Sequence, residues 1–320
     1  MGTVHMPTNE RRQHVQQPPF RQKKQRSLAQ REERLAWLML SPIFVALLTM
    51  GVYPSVSVIW LSLQQGGFFG LDMTWAGFSN YIRLVHDPLF WNALKFTFWF
   101  CMITVSGQMI LGTALALFAN RKFPGSLLVR AAILCPWAIP TATNSVIWAY
   151  IFNDQYGLVN SLLEHLGLMS TAHPINWLGS GQLATLLIYI LAIWKANALV
   201  ALLVLAGLHT IPLEVNEAVR VDGATAWQSF WYVTLPFLRP TLTIALILQT
   251  IEAWQAFDLI SAFTNGAPGN ATQNLGLYIY VQIQQFGDFA YGSTISVVIM
   301  IITFVFIVLY LRALYRPGVK

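Results

Sequence analysis

The stretch QTIEAWQAFD places polar and ionisable side chains inside a strongly apolar part of the sequence. Gln249, Glu252 and Gln255 recur every three residues, so they fall along one face of a helix, and Asp258 follows them. Amide and carboxylate groups bind hydroxyls, while an aromatic ring such as that of Trp254 can cover the apolar face of a sugar. The spacing therefore favours a site for a sugar or a related polyol.

An earlier apolar stretch, IWKANAL, adds Lys195 and Asn197. Polar groups inside apolar segments are costly, and they commonly mark a path for a solute or an ion. Two other interpretations stay open from the pattern alone. The groups could hold helices together or face a water-filled vestibule, and Lys195 and Glu252 could form an interhelical ion pair.

A second polar stretch, EAVRVDGATAWQSFWYVTLP at 217–236, lies between two strongly apolar segments. Residues 213–222 have the amphipathic pattern of a short helix, and Gly223 permits the positive φ angle that would end it. A second short helix is predicted from Ala224, and Pro236 suits the start of the next apolar segment. On this pattern alone, the pair could be an interfacial anchor or a docking element.

The composition indicates a membrane-embedded protein, with 56% apolar residues, 10% charged residues and a mean hydropathy of +0.54. A spanning helix needs about 20 mostly apolar residues. Six stretches qualify, at approximately 36–63, 91–119, 127–152, 182–208, 237–262 and 291–314. The first contains Pro42 and Pro54, which predict a kink.

The positions of lysine and arginine predict the orientation of these spans. Sixteen of the 19 basic residues lie in the two termini and in the second–third and fourth–fifth connections, and the other side has only Arg83. We therefore expect a cytoplasmic tail at 1–34, disordered to about residue 26 and then amphipathic. We also expect a transmembrane domain at 35–316, a cytoplasmic loop at 209–236 within it and a cytoplasmic end at 317–320. The basic residues form no face suited to nucleic acid.

The polar loop resembles the cytoplasmic-loop signature of ABC importer permeases. The residues that carry this resemblance are Glu217, Ala218, Gly223, Leu235 and Pro236. Val219 stands where the family usually has a second alanine, and Val233 where isoleucine is frequent. The segments 75–100 and 264–280 are similar to permeases of the carbohydrate-uptake branch, and the chain resembles the first of the two maltose-type permeases.

The resemblance implies an all-α fold of the type I importer class, with six transmembrane helices and a cytoplasmic coupling helix pair. In that family the loop inserts into a groove of a separate ATPase, where Glu217 would pair with a basic group and Asp222 would cap or brace the turn. The sequence has no Walker-type glycine loop followed by Lys-Ser/Thr. ATP and Mg are therefore expected on the partner, with no cofactor or enzymatic activity in this chain.

The resemblance also implies a complex in a bacterial cytoplasmic membrane, in contact with lipid. Its other members would be a second, unlike permease, two ATP-binding subunits and an extracytoplasmic solute-binding protein docking on 153–181 and 263–290. The stretches around Lys195 and Glu252 correspond to those that line the sugar site in the maltose-type relative. The implied function is import of a sugar or a related polyol, with this chain forming half of the pathway.

Three alternative functions fit the sequence less well. A glycerol-phosphate importer permease would favour basic groups in the pathway, where only Lys195 offers one. A secondary transporter would show internal repeats with acids in both halves, and a membrane enzyme would need paired acids or histidines near an interface. Cys101 and Cys135 lie in apolar runs without neighbouring acids or histidines at ligand spacing, so no metal site is expected.

Overall fold

The structure is a computed structural model that describes residue 2 and residues 23–66, 72–121, 123–170 and 173–314. Most of the predicted disordered tail and the C-terminal end at 317–320 lie outside these residues. The chain divides into two compact units, residues 1–56 and 57–320, and each is described by itself.

The described residues are mainly helical, with one two-stranded antiparallel ribbon that pairs Gln64 with Trp75 and Gln65 with Thr74. In chain order, the elements are α1 (Lys23–Ala46), α2 (Tyr53–Ser62), β1 (Gln64–Gln65), β2 (Thr74–Trp75), α3 (Ser79–Val85), α4 (Pro88–Ala119), α5 (Ser126–Ala138), α6 (Thr141–Ile151), α7 (Leu158–His165), α8 (Gly181–Leu208), α9 (Leu213–Val221), α10 (Ala226–Ser229), α11 (Leu235–Trp254), α12 (Asp258–Phe263), α13 (Leu275–Tyr280) and α14 (Phe289–Leu314).

Proline residues explain the irregular turns of two long helices. A π-helical segment, Leu47–Val52, joins α1 to α2 and ends two residues before Pro54. Another, Phe230–Thr234, joins α10 to α11 and ends two residues before Pro236. A proline has no N–H for the helical hydrogen-bond ladder, so the turn before it widens. The predicted kink of the first span therefore takes the form of a π-helical turn.

The predicted bundle of six transmembrane helices is confirmed, although its third member is broken. Five helices are long and apolar enough to span a membrane: Glu32–Ser62, Pro88–Ala119, Gly181–Leu208, Ala226–Trp254 and Phe289–Ala313. The sixth is the pair α5 and α6, which meet at an angle of 94°.

The stretch 127–152, predicted as the third span, is interrupted at Pro140. Ile139 adopts an extended conformation because the ring of Pro140 disfavours helical geometry in the residue before it. The helix therefore ends at Ala138 and a new one begins at Thr141.

The prediction for the fifth span was wrong at both ends. The helix predicted from Ala224 begins at Ala226 and continues through Pro236 to Trp254, so it is the first part of the fifth span. Its start is fixed by a capping box, in which the hydroxyl of Thr225 accepts from the Gln228 amide and the Gln228 side chain accepts from the Thr225 amide. The span then ends eight residues before its predicted limit at 262, and α12 follows after a break.

The core of the larger unit forms where α4 packs along α8, with α11 against both. The approach is close because Gly112 has no side chain: a Cβ there would lie 2.6 Å from the Cβ of Val200 and 2.8 Å from the carbonyl oxygen of Asn197. Around this seam, one apolar cluster includes Phe100, and a second includes Val200. The packing fixes the side chains that α8 and α11 present to each other.

A polar network joins the start of α4 to α13 and α14. The Asp87 carboxylate caps α4 by accepting from the Leu89 amide, 2.9 Å away, and it also accepts from the hydroxyls of Tyr278 and Tyr291. The Arg83 guanidinium lies 3.9 Å above the Tyr291 ring.

Burial acts to raise the pKa of the Asp87 carboxyl. The hydrogen bonds from Tyr278, Tyr291 and the Leu89 amide outweigh this effect and lower the pKa below its usual value. The carboxylate therefore stays ionised at neutral pH and stabilises the junction of these helices.

Candidate functional site

A cavity of about 250 Å³ lies among α4, α8, α11 and α12. It is lined by five of the seven residues predicted for a substrate pathway, namely Lys195, Gln249, Glu252, Gln255 and Asp258. Gln249, Glu252 and Gln255, which the three-residue spacing placed on one helix face, therefore line the same cavity.

Two buried glutamines form part of the cavity wall. Gln108 on α4 is 5% exposed and donates its amide N–H to the Ala192 carbonyl at 3.2 Å, and Gln249 on α11 is 1% exposed and donates to Ala196 at 3.4 Å. Among the described residues, neither amide oxygen Oε1 has a hydrogen-bond partner. Both oxygens are buried atoms, so in this conformation they are enclosed by the packed helices and are not open to the cavity.

Lys195 occupies the side of the cavity formed by the broken third span. Its ammonium donates to the Ile139 carbonyl at 2.7 Å, at the bend between α5 and α6. Within the described part of the chain, the one salt bridge joins Arg83 and Asp288. The direct Lys195–Glu252 ion pair considered from the sequence is therefore not formed, although their charges interact over a longer distance.

The remaining lining residues lie where the fifth span is interrupted. The helix ends at Trp254, and α12 starts at Asp258, so the intervening backbone faces the cavity region rather than continuing the helix. The buried Asn274 side chain donates to the Ala256 carbonyl at this break. Irregular backbone within a membrane is tolerated where such partners or a cavity satisfy it. Glu252, Gln255 and Asp258 are exposed here.

The structure places Asn197 and Trp254 away from this cavity, contrary to their predicted place in the pathway. The Asn197 amide donates to the carbonyls of Ile193 and Trp194 in its own helix, at 2.9 and 2.7 Å. Trp254 is 1% exposed and packs toward α14, with its ring 5.9 Å from that of Phe306. Helical geometry explains this result, because Trp254 lies two residues from Glu252 and so points to a different side.

Sequence reasoning missed the other lining side chains. They are Phe100, Thr104, Gln108, Thr141 and Phe257, among further small and apolar residues. Gln108 could have been predicted as a lining residue, since it is a polar residue inside an apolar span. Phe100 and Phe257 did not, because aromatic residues are frequent throughout the spans. They supply the apolar ring surfaces that had been assigned to Trp254.

The predicted docking helix is a separate, exposed element. In α9, Glu217 and Ala218 are exposed, and the helix ends at Asp222 and Gly223. Gly223 has a φ of +69°, as predicted, and the next amide, that of Ala224, donates to the Val219 carbonyl at 3.2 Å.

The turn after α9 is closed by backbone atoms. The Asp222 amide donates to the Ala218 carbonyl at 2.9 Å, whereas its carboxylate has no hydrogen bond to any described residue. Bracing by the Asp222 side chain is therefore not observed. Leu235 and Pro236 are half-buried at the start of α11.

Comparison with known proteins identifies similar chains over nearly the whole length. Residues 108–320 match the family described as binding-protein-dependent transport system inner membrane component. The chain is 36% identical over 285 residues to the trehalose/maltose transport system permease protein of Thermococcus litoralis. The matched residues cover 89% of this chain and 95% of that protein. It is 37% identical over 284 residues to the sulfoquinovosyl glycerol transport system permease protein of Agrobacterium fabrum, covering 87% and 89%.

Two solved structures have the same fold. A chain of the bacterial alginate ABC transporter in complex with alginate pentasaccharide-bound periplasmic protein has a TM-score of 0.75 and 20% identity, covering 88% of this chain and 93% of that one. A second structure of a bacterial ABC transporter for alginate import gives a TM-score of 0.77 at 20% identity, covering 90% and 97%.

Proposed function

The chain belongs to the family of binding-protein-dependent transport system inner membrane components, and we propose that it forms half of the path by which a sugar crosses the membrane. As a member, it is a multi-pass permease subunit of a transport system. This membership supports the importer over the secondary transporter and the membrane enzyme considered from the sequence.

The observation that carries the sugar path is the cavity itself, which places polar side chains beside aromatic ones. Gln255 and Asp258 are exposed polar residues of its wall, and Phe100 and Phe257 line the same cavity. A few placed polar groups on an otherwise apolar wall are typical of small-solute sites. The names of the relatives, which refer to trehalose, maltose and sulfoquinovosyl glycerol transport, support the same class.

The energy for transport is proposed to come from two separate ATPase subunits, which would hold ATP and Mg. The exposed α9 would dock in a groove of one of them, with Glu217 paired to a basic group there. Gly223 follows the end of α9 with a positive φ, and α10 continues into the fifth span. A force applied to α9 would therefore reach the cavity wall along one helix.

The orientation proposed from the basic residues puts both termini and α9 in the cytoplasm of a bacterium. The ribbon, α3, α7 and α13 would then face outward, where a solute-binding protein would dock on 153–181 and 263–290. A second, unlike permease would complete the path.

The test is reconstitution of the complete complex in proteoliposomes with Glu217→Ala in this chain. We expect membrane insertion to be normal, whereas solute-stimulated ATP hydrolysis, uptake and co-purification of the ATPase should fall together. The matched control is Glu214→Ala, which removes the same charge from the first turn of the same exposed helix.

Full uptake by Glu217→Ala with the ATPase still bound would refute the docking role of Glu217. Full uptake without any bound ATPase would refute ATP coupling altogether. If Glu214→Ala reduces ATP hydrolysis as much as Glu217→Ala does, hydrolysis depends on the total negative charge of α9. The proposal that Glu217 pairs with one specific basic group would then be wrong.

A further inference from the structure

We propose that α4, α5 and α8 form a binding site for one anionic phospholipid, with its phosphate on Arg130 and part of an acyl chain in the pocket beside it. The site lies outside the proposed sugar path and concerns the lipid around the permease rather than its solute. Three observations support it: an apolar pocket, the hydrogen bonds of Arg130 and the charges of the surrounding helices.

The pocket has a volume of about 140 Å³ and lies where α5 packs near the ends of α4 and α8. Apart from Arg130, its lining is apolar and consists of Ala116, Ala119, Ile133, Leu134, Ala201, Leu202 and Leu205. Ala119 is the last residue of α4, and Leu205 lies three residues before the end of α8. Since both helices are long enough to span the membrane, the pocket is at the depth where headgroups meet acyl chains.

Arg130 lines this pocket, is half-buried, and is only partly engaged by the protein. Its Nε–H and one terminal N–H both donate to the Ala119 carbonyl, at 3.1 and 3.0 Å. This contact caps α4, because the last carbonyls of a helix have no partner within it. A guanidinium has five N–H donors, and the other three have no hydrogen bond to a described residue. A phosphate group offers several oxygens to such a planar set of donors.

The helices around Arg130 leave its charge without a counter-ion. The sequence has no acidic residue between Asp87 and Asp154, and α8 has none either. Within the residues that the structure describes, the one salt bridge joins Arg83 and Asp288. Basic pockets between membrane-spanning helices bind anionic headgroups. A zwitterionic headgroup would add an ammonium group, for which these three helices offer no carboxylate.

The first turn of α5 has the character of a segment at the membrane surface. Leu127 and Leu128 are 77% and 76% exposed, and they precede Arg130 by three and two residues. In an interfacial helix, such apolar side chains enter the acyl layer while a nearby cation meets the headgroups. The exposed Arg121, directly after α4, adds a second positive charge to the same connection.

The experiment measures how many lipid molecules the permease retains. The protein is purified in detergent with its partner subunits and titrated with phosphatidylglycerol or phosphatidylethanolamine of identical acyl chains, and bound lipid is counted by native mass spectrometry. We expect Arg130→Gln to weaken retention of one phosphatidylglycerol molecule about fivefold, the effect of one basic residue near a membrane surface. Glutamine keeps an N–H donor for the Ala119 carbonyl, and Arg130→Lys, which keeps the charge, should preserve the preference for phosphatidylglycerol.

Two matched controls separate a site from general effects. Arg312→Gln removes the same charge from an exposed position in the last turn of α14. Leu202→Trp fills the pocket from its exposed wall and should weaken phosphatidylglycerol retention without changing any charge. Leu186→Trp alters an exposed leucine of the same helix that does not line the pocket, and it should have no effect. Inorganic phosphate, which has no acyl chain, should not displace the lipid.

Each contrary result overturns a part of the proposal. Equal loss of phosphatidylglycerol in Arg130→Gln and Arg312→Gln would mean that surface charge attracts the lipid and that no site exists. Equal retention of phosphatidylethanolamine at a site that depends on Arg130 would refute the preference for an anionic headgroup. If Leu202→Trp has no effect, or if inorganic phosphate displaces the lipid, the pocket does not hold an acyl chain. None of these measurements involves a solute, so their results are independent of the proposed sugar path.

Discussion

The Lys195 ammonium donates to the Ile139 carbonyl at 2.7 Å, and this bond joins the fourth span to the bend in the third. The carbonyl belongs to the residue before Pro140, where the helix is interrupted by 94° and its own hydrogen-bond ladder ends. The Lys195 ammonium therefore gives the Ile139 carbonyl a hydrogen-bond donor at the break and stabilises the bend.

Replacing Lys195 by methionine should therefore destabilise the protein. Methionine keeps the length of the side chain but has no donor. Because the bond to Ile139 is only part-buried, its loss should cost about 1 kcal/mol, the lower end of the range for buried groups. The free energy of unfolding would be measured by SDS-induced unfolding in mixed micelles. The control is Lys95→Met, which removes an exposed lysine of α4. Equal stability of the two variants would show that the bond to Ile139 contributes nothing.

This bond illustrates what the sequence could and could not predict. Gln249, Glu252 and Gln255 were placed on one surface because their relation is local and follows from helical geometry. The partner of Lys195 lies 56 residues away and depends on the direction of a bend. Pro140 is a local signal for a bend. The angle of the bend, and the side chain that contacts it, depend on how the helices pack. The same holds for Gln108, whose NH₂ group donates to the Ala192 carbonyl 84 residues away.

The start of the fifth span, by contrast, is marked by local signals in the sequence. Thr225 and Gln228 have the spacing of a capping box and mark the true start of the helix. Pro236 predicts a boundary, whereas a π-helical turn accommodates it. The break after Trp254 has neither glycine nor proline within it, and it is stabilised by Asn274, which is distant in sequence.

The network around Asp87 should make stability depend on acid pH. Because the folded pKa of Asp87 is lowered, its contribution is fully present above the pKa of the unfolded chain, about 3.9. It is lost as the pH falls through the lower pKa of the folded state. Asp87→Asn should cost about 1–2 kcal/mol at pH 7, the lower part of the range for charged hydrogen bonds, since the carboxylate is only half-buried.

The measurement is the unfolding free energy of wild type and Asp87→Asn between pH 7 and pH 3. The two curves should converge as the pH falls, because protonation removes from the wild type what the substitution has already removed. Asp288→Asn is the comparison, since it breaks the salt bridge with Arg83 and leaves the two tyrosine hydroxyls on Asp87. Parallel curves for wild type and Asp87→Asn would contradict the assignment.

The seam between α4 and α8 should be intolerant of any side chain at Gly112. Gly112→Ala would bring its Cβ to 2.8 Å from the Asn197 carbonyl oxygen, a main-chain atom that cannot rotate away. Overpacking of this kind costs about 1–3 kcal/mol. At Gly107, an added Cβ would meet the Cδ1 atom of Ile193 at 2.5 Å, the end of a flexible side chain. Gly107→Ala should therefore cost less in the same SDS unfolding assay, and equal or reversed costs would show that the seam adapts.

Gly223→Ala tests the coupling of the ATPase to the spans, because the added methyl group makes no contact and acts only by straining the backbone. A Cβ built there meets no heavy atom within 4 Å, yet alanine at a φ of +69° is strained by about 1–2 kcal/mol. Gly125 matches it, with a φ of +89°, equal space and a place in the other connection predicted to be cytoplasmic. Gly223→Ala and Gly125→Ala should therefore destabilise the protein to a similar extent. Only Gly223→Ala should reduce solute-stimulated ATP hydrolysis, by about fivefold if 1 kcal/mol of strain opposes the docked turn. Equal hydrolysis by the two variants would mean that the turn after α9 does not transmit the energy of ATP to the spans.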